Sequence, residues 1–214
     1  MTKKGLICIF LFIMCASILA ISSIEIRRQF YTEYYAWKLY TKLEGADKGD
    51  LTENIHYQKM ITLGPPIVPL LFHELEYSND GLLISPIITI TKRVYRWDEI
   101  KNIKGQGALA QLYIQWWYHG RFQTLENFEK FYTLWSESRK RGDSISERKY
   151  QIKIEDLGLP VLPFLVDKIE KGKTELLPMV KWLTDGRVPT EKLTPANIRV
   201  WWEENKDQWT LPKR

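Results

Sequence analysis

Past residue 15 the chain contains no cysteine; its only two, Cys8 and Cys15, lie in one apolar run near the N-terminus. That excludes a disulfide framework, a zinc knuckle and a thiol nucleophile from everything beyond the run. Histidine is scarce too. His56, His73 and His119 share no metal-ligand spacing. His73-Glu74-Leu75-Glu76-Tyr77 opens like the helical zinc-protease motif but has Tyr77 where the second histidine belongs, and one ligand cannot hold a metal. No Gly-x-Ser-x-Gly surrounds Ser144 or Ser146, and Gly105-Gln106-Gly107 is too short to cradle a phosphate. The carboxylate pairs Asp98-Glu99, Glu155-Asp156 and Glu203-Glu204 are expected on solvated helix ends or faces, and nothing marks one as a glycosidase-type pair. The sequence therefore names no catalytic residue, no cofactor-binding residue and no metal ligand. It leads to the expectation of a non-enzyme without cofactors, its binding residues unknown. Strong charge is missing as well: the formal net charge is +5 over 214 residues, and Lys3 and Lys4 supply two of those charges. That excess is too mild to point to nucleic acid.

Present instead are aromatics, 13% of the chain with nine tryptophans, which suit helix-packing cores and binding surfaces alike. Lys3-Lys4 precede an uncharged run from Gly5 to Ile24. Twenty helical residues span about 30 Å, the thickness of a bilayer's hydrocarbon core. Two readings fit residues 1–24. One is a secretory signal, with small residues for cleavage at Ala20-Ile21-Ser22; the other is an uncleaved transmembrane anchor, favoured by the length of the run and the close Arg27-Arg28. Lipidation at Cys15 is disfavoured because Met14 precedes it. Either main reading places the protein at the periplasmic or extracellular face of a membrane, or secreted. Residues 25–50 read as an aromatic-rich helix, Ile26 to Leu43, and a linker. Phe30, Tyr31, Tyr34, Tyr35, Trp37 and Tyr40 crowd several of its faces, as interfacial aromatics or as a first helix packed on the rest of the chain.

Beyond residue 50 the chain says most of its content twice. Leu63-Gly64-x-Pro66-x-x-Pro69 returns as Leu157-Gly158-x-Pro160-x-x-Pro163, an offset of 94 residues. A helix from Thr52 to Leu63 is stopped by Gly64, and its counterpart from Ser144 to Leu157 by Gly158. Pro69 means that the next helix starts late or bends. Val68, Leu71, Phe72 and Leu75 make one helical face, which Leu162, Leu165, Val166 and Ile169 reproduce. After a turn at Ser78–Gly81, Leu83, Pro86, Ile87 and Ile90 match Leu176, Met179, Val180 and Leu183. The run around Ile84 is rich enough in β-branched residues for a strand, and only its second copy makes it read as helix. A loop from Lys92 to about Gly107 leads to an apolar face at Leu109, Leu112, Tyr113 and Trp116. An added helix from Thr124 to Arg141 presents Leu125, Phe128, Tyr132 and Trp135 on one side, and Arg139-Lys140-Arg141 favour its negative end. Thr194-Pro195 reads as N-cap and first helical residue of a closing helix. Each copy ends in a tryptophan pair, Trp116-Trp117 and Trp201-Trp202. Asn205 is expected to hydrogen-bond within its own copy.

Leu157-Gly158-Leu159-Pro160-Val161-Leu162-Pro163 with Leu165 and Ile169 resembles the first helix of a HEAT repeat. Trp182-Leu183-Thr184-Asp185-Gly186 and the stretch from Thr194 to Lys206, ending Trp201-Trp202-Glu203-Glu204-Asn205-Lys206, are similar to the segment closing HEAT-like arrays in bacterial exported proteins. The resemblance covers roughly Leu51 to Trp209. The first copy departs from it, with Thr91-Lys92-Arg93 lacking the glycine and Trp116-Trp117 running into Tyr118-His119. The resemblance implies an all-α fold, a short α-α superhelix of HEAT-like (armadillo-type) repeats behind the N-terminal signal or anchor helix. Its parts are 1–24 signal peptide or anchor, 25–50 aromatic helix and linker, 51–123 first unit, 124–143 inserted helix and 144–214 second unit. It also implies a non-catalytic protein-interaction module with a protein partner; the apolar N-terminal run adds the expectation of membrane association, the mild charge that of no nucleic acid and the histidine spacing that of no metal. Two other functions come after it in rank. One is an envelope polysaccharide binder using exposed aromatics such as Trp97, Tyr118 or Trp209; the other is a hydrolase with dispersed acidic residues.

The tryptophan pair offers a test. A buried tryptophan cut to alanine costs about 3–5 kcal/mol, against roughly 5–15 kcal/mol for a whole domain. Trp201→Ala or Trp202→Ala is expected to abolish soluble folded protein; unchanged thermal unfolding in both variants would refute a core role.

Overall fold

The computed structural model describes the backbone of residues 3–44 and 51–212 and the side chains of residues 23–43 and 51–212. Among these residues there are eleven α-helices and no β-strand, so the expected all-α class is the one observed. The chain forms two compact units, Met1–Ile67 and Val68–Arg214.

The first unit is built on α1 (Lys3–Glu44) and α2 (Ile55–Thr62), followed by a 3-10 turn at Pro65–Ile67. Among the described residues no helix is long and apolar enough to cross a membrane. The signal-or-anchor expectation for residues 1–24 falls almost wholly on side chains outside the described ones. Farther along α1 the crowded aromatics sort onto one face. Phe30, Tyr34 and Trp37 are buried, four and three residues apart, while Tyr35 and Tyr40 stay exposed. The Trp37 ring lies 5.5 Å from Tyr57 of α2, and its indole N–H donates to the Leu51 carbonyl at 3.2 Å. Asn54 caps α2 by accepting from the His56 and Tyr57 N–H groups, so this helix starts three residues later than Thr52.

In the second unit, α3 (Val68–Ser78) begins late. Pro65-Pro66 occupy the preceding 3-10 turn and Pro69 falls in the first helical turn, where no donor is needed. The β-branched run is α4 (Ile84–Thr91), a helix whose Ile84, Pro86, Ile87 and Ile90 are buried, with Leu83 buried in the 3-10 turn before it. Tertiary burial overrides strand propensity there. The expected loop after it contains a one-turn helix, α5 (Trp97–Ile100), before α6 (Gln106–Tyr118). In α6 the buried face is Ala110, Tyr113, Trp116 and Trp117, with Leu109 and Leu112 only half-buried. Next, α7 (Thr124–Lys140) and α8 (Ser144–Glu155) form a helical hairpin closed by Gly142 and capped by Asp143, which accepts from the Ser146 N–H. Phe128 and Trp135 of α7 are buried; Leu125, expected beside them, is exposed. The last helices are α9 (Leu162–Glu170), α10 (Leu177–Leu183) and α11 (Ile198–Asn205). The closing helix begins at Ile198 instead of Pro195, because Thr194 to Asn197 form a hydrogen-bonded turn in which the Asn197 side chain accepts from the Thr194 N–H.

The two sequence copies adopt the same order of local structures. A glycine with positive φ (Gly64 +66°, Gly158 +78°) leads into a 3-10 turn and then a helix. The helical faces Val68/Leu71/Phe72/Leu75 and Leu162/Leu165/Val166/Ile169 are wholly buried. A second 3-10 turn and helix end in a buried threonine. Thr91 donates to the Ile87 carbonyl at 2.7 Å and Thr184 to the Val180 carbonyl at 2.8 Å. A left-handed residue comes next in each (Lys92 φ 58°, Asp185 φ 53°). The tryptophan pairs repeat as well, with ring planes inclined at 50° and 48°. Trp202 is buried but Trp201 only half so.

The copies meet where the end of α4 touches the turn before α9. The Val94 N–H donates to the Asp156 carbonyl at 3.3 Å, and Lys92 pairs with Asp185 at 2.6 Å. A Cβ on Gly158 would sit 2.8 Å from the Arg93 nitrogen and closer still to the Thr91 carbonyl oxygen. Gly158→Ala therefore combines left-handed strain with a backbone collision, an expected loss of roughly 2–5 kcal/mol. Gly142→Ala, with φ +70° and open space around it, is expected to lose only about 1–2 kcal/mol. Urea unfolding of the two variants checks this; equal losses would mean that the close approach costs nothing.

Candidate functional site

Two features of the second unit gather chemistry-bearing side chains. The first is a charged seam where the copies meet. Asp156, 1% exposed, ends α8 and receives both arms of Arg96, each at 2.7 Å. Arg93, also buried, donates from Nη1 to the Asp156 carbonyl at 2.7 Å while its guanidinium lies 3.9 Å from the Tyr95 ring centre. Lys153 joins from α8, donating to Asp98 at 3.1 Å and lying 3.8 Å from Glu99. The Lys153 hydrogen bond holds the exposed Asp98 carboxyl below the usual carboxylate range. Burial pushes the Tyr113 hydroxyl well above its usual value, and it donates to the Arg93 carbonyl at 3.2 Å. A cavity of ≈ 120 Å³ is lined by Arg93, Glu99, Asn127, Phe131, Lys153, Asp156 and Leu157. Asp156, Glu99 and Asp98 each have a cation at ion-pair distance, which is the geometry of a structural clasp.

The second feature is an apolar pocket of ≈ 190 Å³ at the closing helix. The turn before α9 and the first turn of α9 supply Leu159, Pro160 and Pro163. Helix α11 supplies Trp202, and the segment after it Trp209 to Pro212. Arg121 and Phe122 come from the 3-10 turn Gly120–Gln123. The buried Arg121 guanidinium sits 3.7 Å from the Trp117 ring centre and donates to the Pro212 carbonyl at 3.0 Å, and Phe72 stacks on that Trp117 at 4.7 Å. Phe122 stands at the rim, 70% exposed. The repeated proline motif thus serves twice over in the second copy, starting α9 and walling the pocket.

The residues singled out in the sequence scatter. His73 and His119 are exposed, and His56 bonds Glu33 at 2.7 Å through Nδ1. No group of His, Cys, Asp or Glu able to hold a metal occurs among the described residues. Ser144 and Ser146 lie in the first turn of α8, and Gly105 precedes α6. Glu203 and Glu204 are solvated as expected. Glu155-Asp156 are not: both are buried, because α8 ends against the first copy and Arg96 covers the charge of Asp156. Of the aromatics expected outside the packed faces, Trp97 is 75% exposed, Tyr118 is half-buried, and Trp209 is buried under the Arg187 guanidinium at 4.4 Å. Arg139 and Arg141 are engaged with Glu147 and Glu137, and Asn205 donates to the Trp201 carbonyl at 2.8 Å. The Arg96–Asp156 clasp and the pocket left no mark in the sequence except the recurrence of the proline motif.

Comparisons with protein-family models, with curated proteins and with solved structures find no match.

Glu155 yields a test. Burial lifts its carboxyl above the ordinary value of 4.5, opposed by the Gln151 hydrogen bond at 2.7 Å and by Arg148 at 3.8 Å. The folded chain then holds this proton more tightly than the unfolded chain. The stability it contributes is complete below 4.5 and is lost as pH rises through the raised value. Between pH 4.5 and neutrality the wild type should lose urea resistance that Glu155→Gln keeps; parallel pH profiles would show that Glu155 is effectively solvated.

Proposed function

We propose that the chain is a short HEAT-like superhelix that acts as a non-catalytic docking module for another protein. In this reading its N-terminal apolar run holds it at a membrane, facing the periplasmic or extracellular side, or directs its export. The observation that carries the docking proposal is the pocket walled by Trp202, Trp209, Pro160 and Pro163, with the exposed Phe122 at its lip. Aromatic anchors around an apolar concavity are the usual centre of a protein interface. A single apolar side chain of a partner fits the ≈ 190 Å³ available, and Phe122 with the neighbouring exposed Leu125 widens the contact. The repeated local plan supports the repeat reading. Each copy carries one wholly buried face, and stacking such faces is how repeat proteins make a core.

The competing readings have less behind them. In a hydrolase one expects a carboxylate free to act, whereas the seam's Asp98, Glu99 and Asp156 lie beside Lys153 and Arg96. The aromatic platform anticipated for polysaccharide reduces to Trp97 among the three residues named for it.

A photo-crosslinking amino acid in place of Phe122, in the full chain in cells, should give a discrete protein adduct in the membrane fraction, or in the secreted fraction if the chain is cleaved. The same group in place of the exposed Tyr77 should give none. No adduct at position 122, or the same adducts at both positions, would count against docking at this pocket.

A further inference from the structure

We propose that the second copy carries a saccharide subsite at Trp182, suited to an acidic sugar residue and separate from the docking pocket. Helix α10 turns Met179, Val180 and Leu183 into the core. Trp182 stays out, 38% exposed, while Trp37, Trp116, Trp117, Trp135, Trp202 and Trp209 are all buried. Beside it lies a depression of ≈ 420 Å³ lined by Lys92, Lys181, Trp182, Asp185 and Gly186. That volume falls within the range of small-molecule sites, about 300–1,000 Å³.

The lining supplies what a sugar ring needs. An indole face carries negative charge density and is apolar, so it matches the weakly positive C–H face of a pyranose and is shielded from water with it. Asp185 is half-exposed, holds Lys92 at 2.6 Å and lies 3.7 Å from Arg187. Its carboxylate retains acceptor capacity for sugar hydroxyls, and the left-handed backbone at Asp185, φ 53°, presents it at the end of α10. Lys92 comes from the matching position of the first copy, so the subsite exists only because the copies are joined. The charge balance sets the preference. Lys92 and Arg187 share the single carboxylate of Asp185, and Lys181 has no carboxylate within ion-pair distance among the described residues. Its side chain folds over the turn: a Cβ on Gly186 would lie 3.9 Å from the Lys181 Cε. This excess of cations over the one carboxylate, beside an aromatic platform, favours a carboxylate-bearing sugar over a neutral one.

The test is calorimetric titration of the full chain with oligogalacturonate and with a neutral galacto-oligosaccharide of the same length. The acidic ligand should bind more tightly. Trp182→Ala should weaken it about tenfold or more, and Lys181→Glu should remove most of the preference for it over the neutral ligand. Trp97→Ala should leave both unchanged, and circular dichroism should show all three variants folded. Trp182→Ala binding like the wild type, a folded wild type that binds neither ligand, or a preference that survives Lys181→Glu would each overturn the proposal. Should Trp182→Ala fail to fold, Lys181→Glu decides alone.

Discussion

The second unit depends on one junction, the contact between the end of α4 and the turn that opens α9. There is no room at that point for a side chain, and Gly158 supplies none. On one side stand Thr91, its hydroxyl engaged within its own helix, and the left-handed Lys92. On the other stands Asp156, whose carbonyl takes N–H groups from Arg93 and Val94 while its carboxylate takes Arg96. Buried ionic groups tolerate such a position only when geometry and hydrogen bonding are nearly complete. Here the carboxylate is matched by a planar guanidinium in a two-armed arrangement, the pairing that arginine's rigid fork suits best. Around it the Tyr113 hydroxyl serves the Arg93 carbonyl and Lys153 serves Asp98, while the buried Arg93 Nε is left without a hydrogen bond among the described residues.

From this junction the rest of the unit extends outward by ordinary burial. The second copy, the α7–α8 hairpin and the residues after α11 share one apolar cluster running from Phe128 to Trp209. The hairpin joins it by stacking Phe128 on Phe164 at 5.8 Å and by an ion pair from Lys168 to Glu129 at 3.0 Å. At the far side Arg199 binds Asp167 and Glu170, tying α11 back to α9. Function is proposed at the rims of this body, where packing leaves aromatic side chains partly wet: Phe122 beside the closing helix and Trp182 at the end of α10.

How much of this was readable in the chain depends on the range of each interaction. Helical periodicity is local, so the buried faces of α3, α4, α9 and α10 were legible residue by residue, and the second copy correctly resolved the strand-like Ile84–Thr91 run. The glycine stops and the lateness of α3 were legible for the same reason. Burial of Glu155 and Asp156 was not, since the partner that makes it tolerable, Arg96, is 60 residues away. Trp209 looked like a loose aromatic near the end of the chain; its cover comes from Arg187, which no local pattern announces. Leu125 fell on the right helical side by spacing, yet it lies at the start of α7, where that side has run out of neighbours. The pocket was illegible because its walls come from four separate segments.

The distances along the chain also govern the order in which the parts can assemble. The α7–α8 hairpin closes over three residues, a contact that local chain motion makes quickly, whereas Arg93 must find Asp156 across 63 residues. Closing the longer loop costs more chain entropy, and contacts of high sequence separation form late. The hairpin joins α7 to the leading helix of the second copy, and it brings the end of α8 back toward the start of α7. By these separations α7–α8 is the short closure of the unit and the Arg93–Asp156 junction the long one, the contact that carries the larger entropic cost.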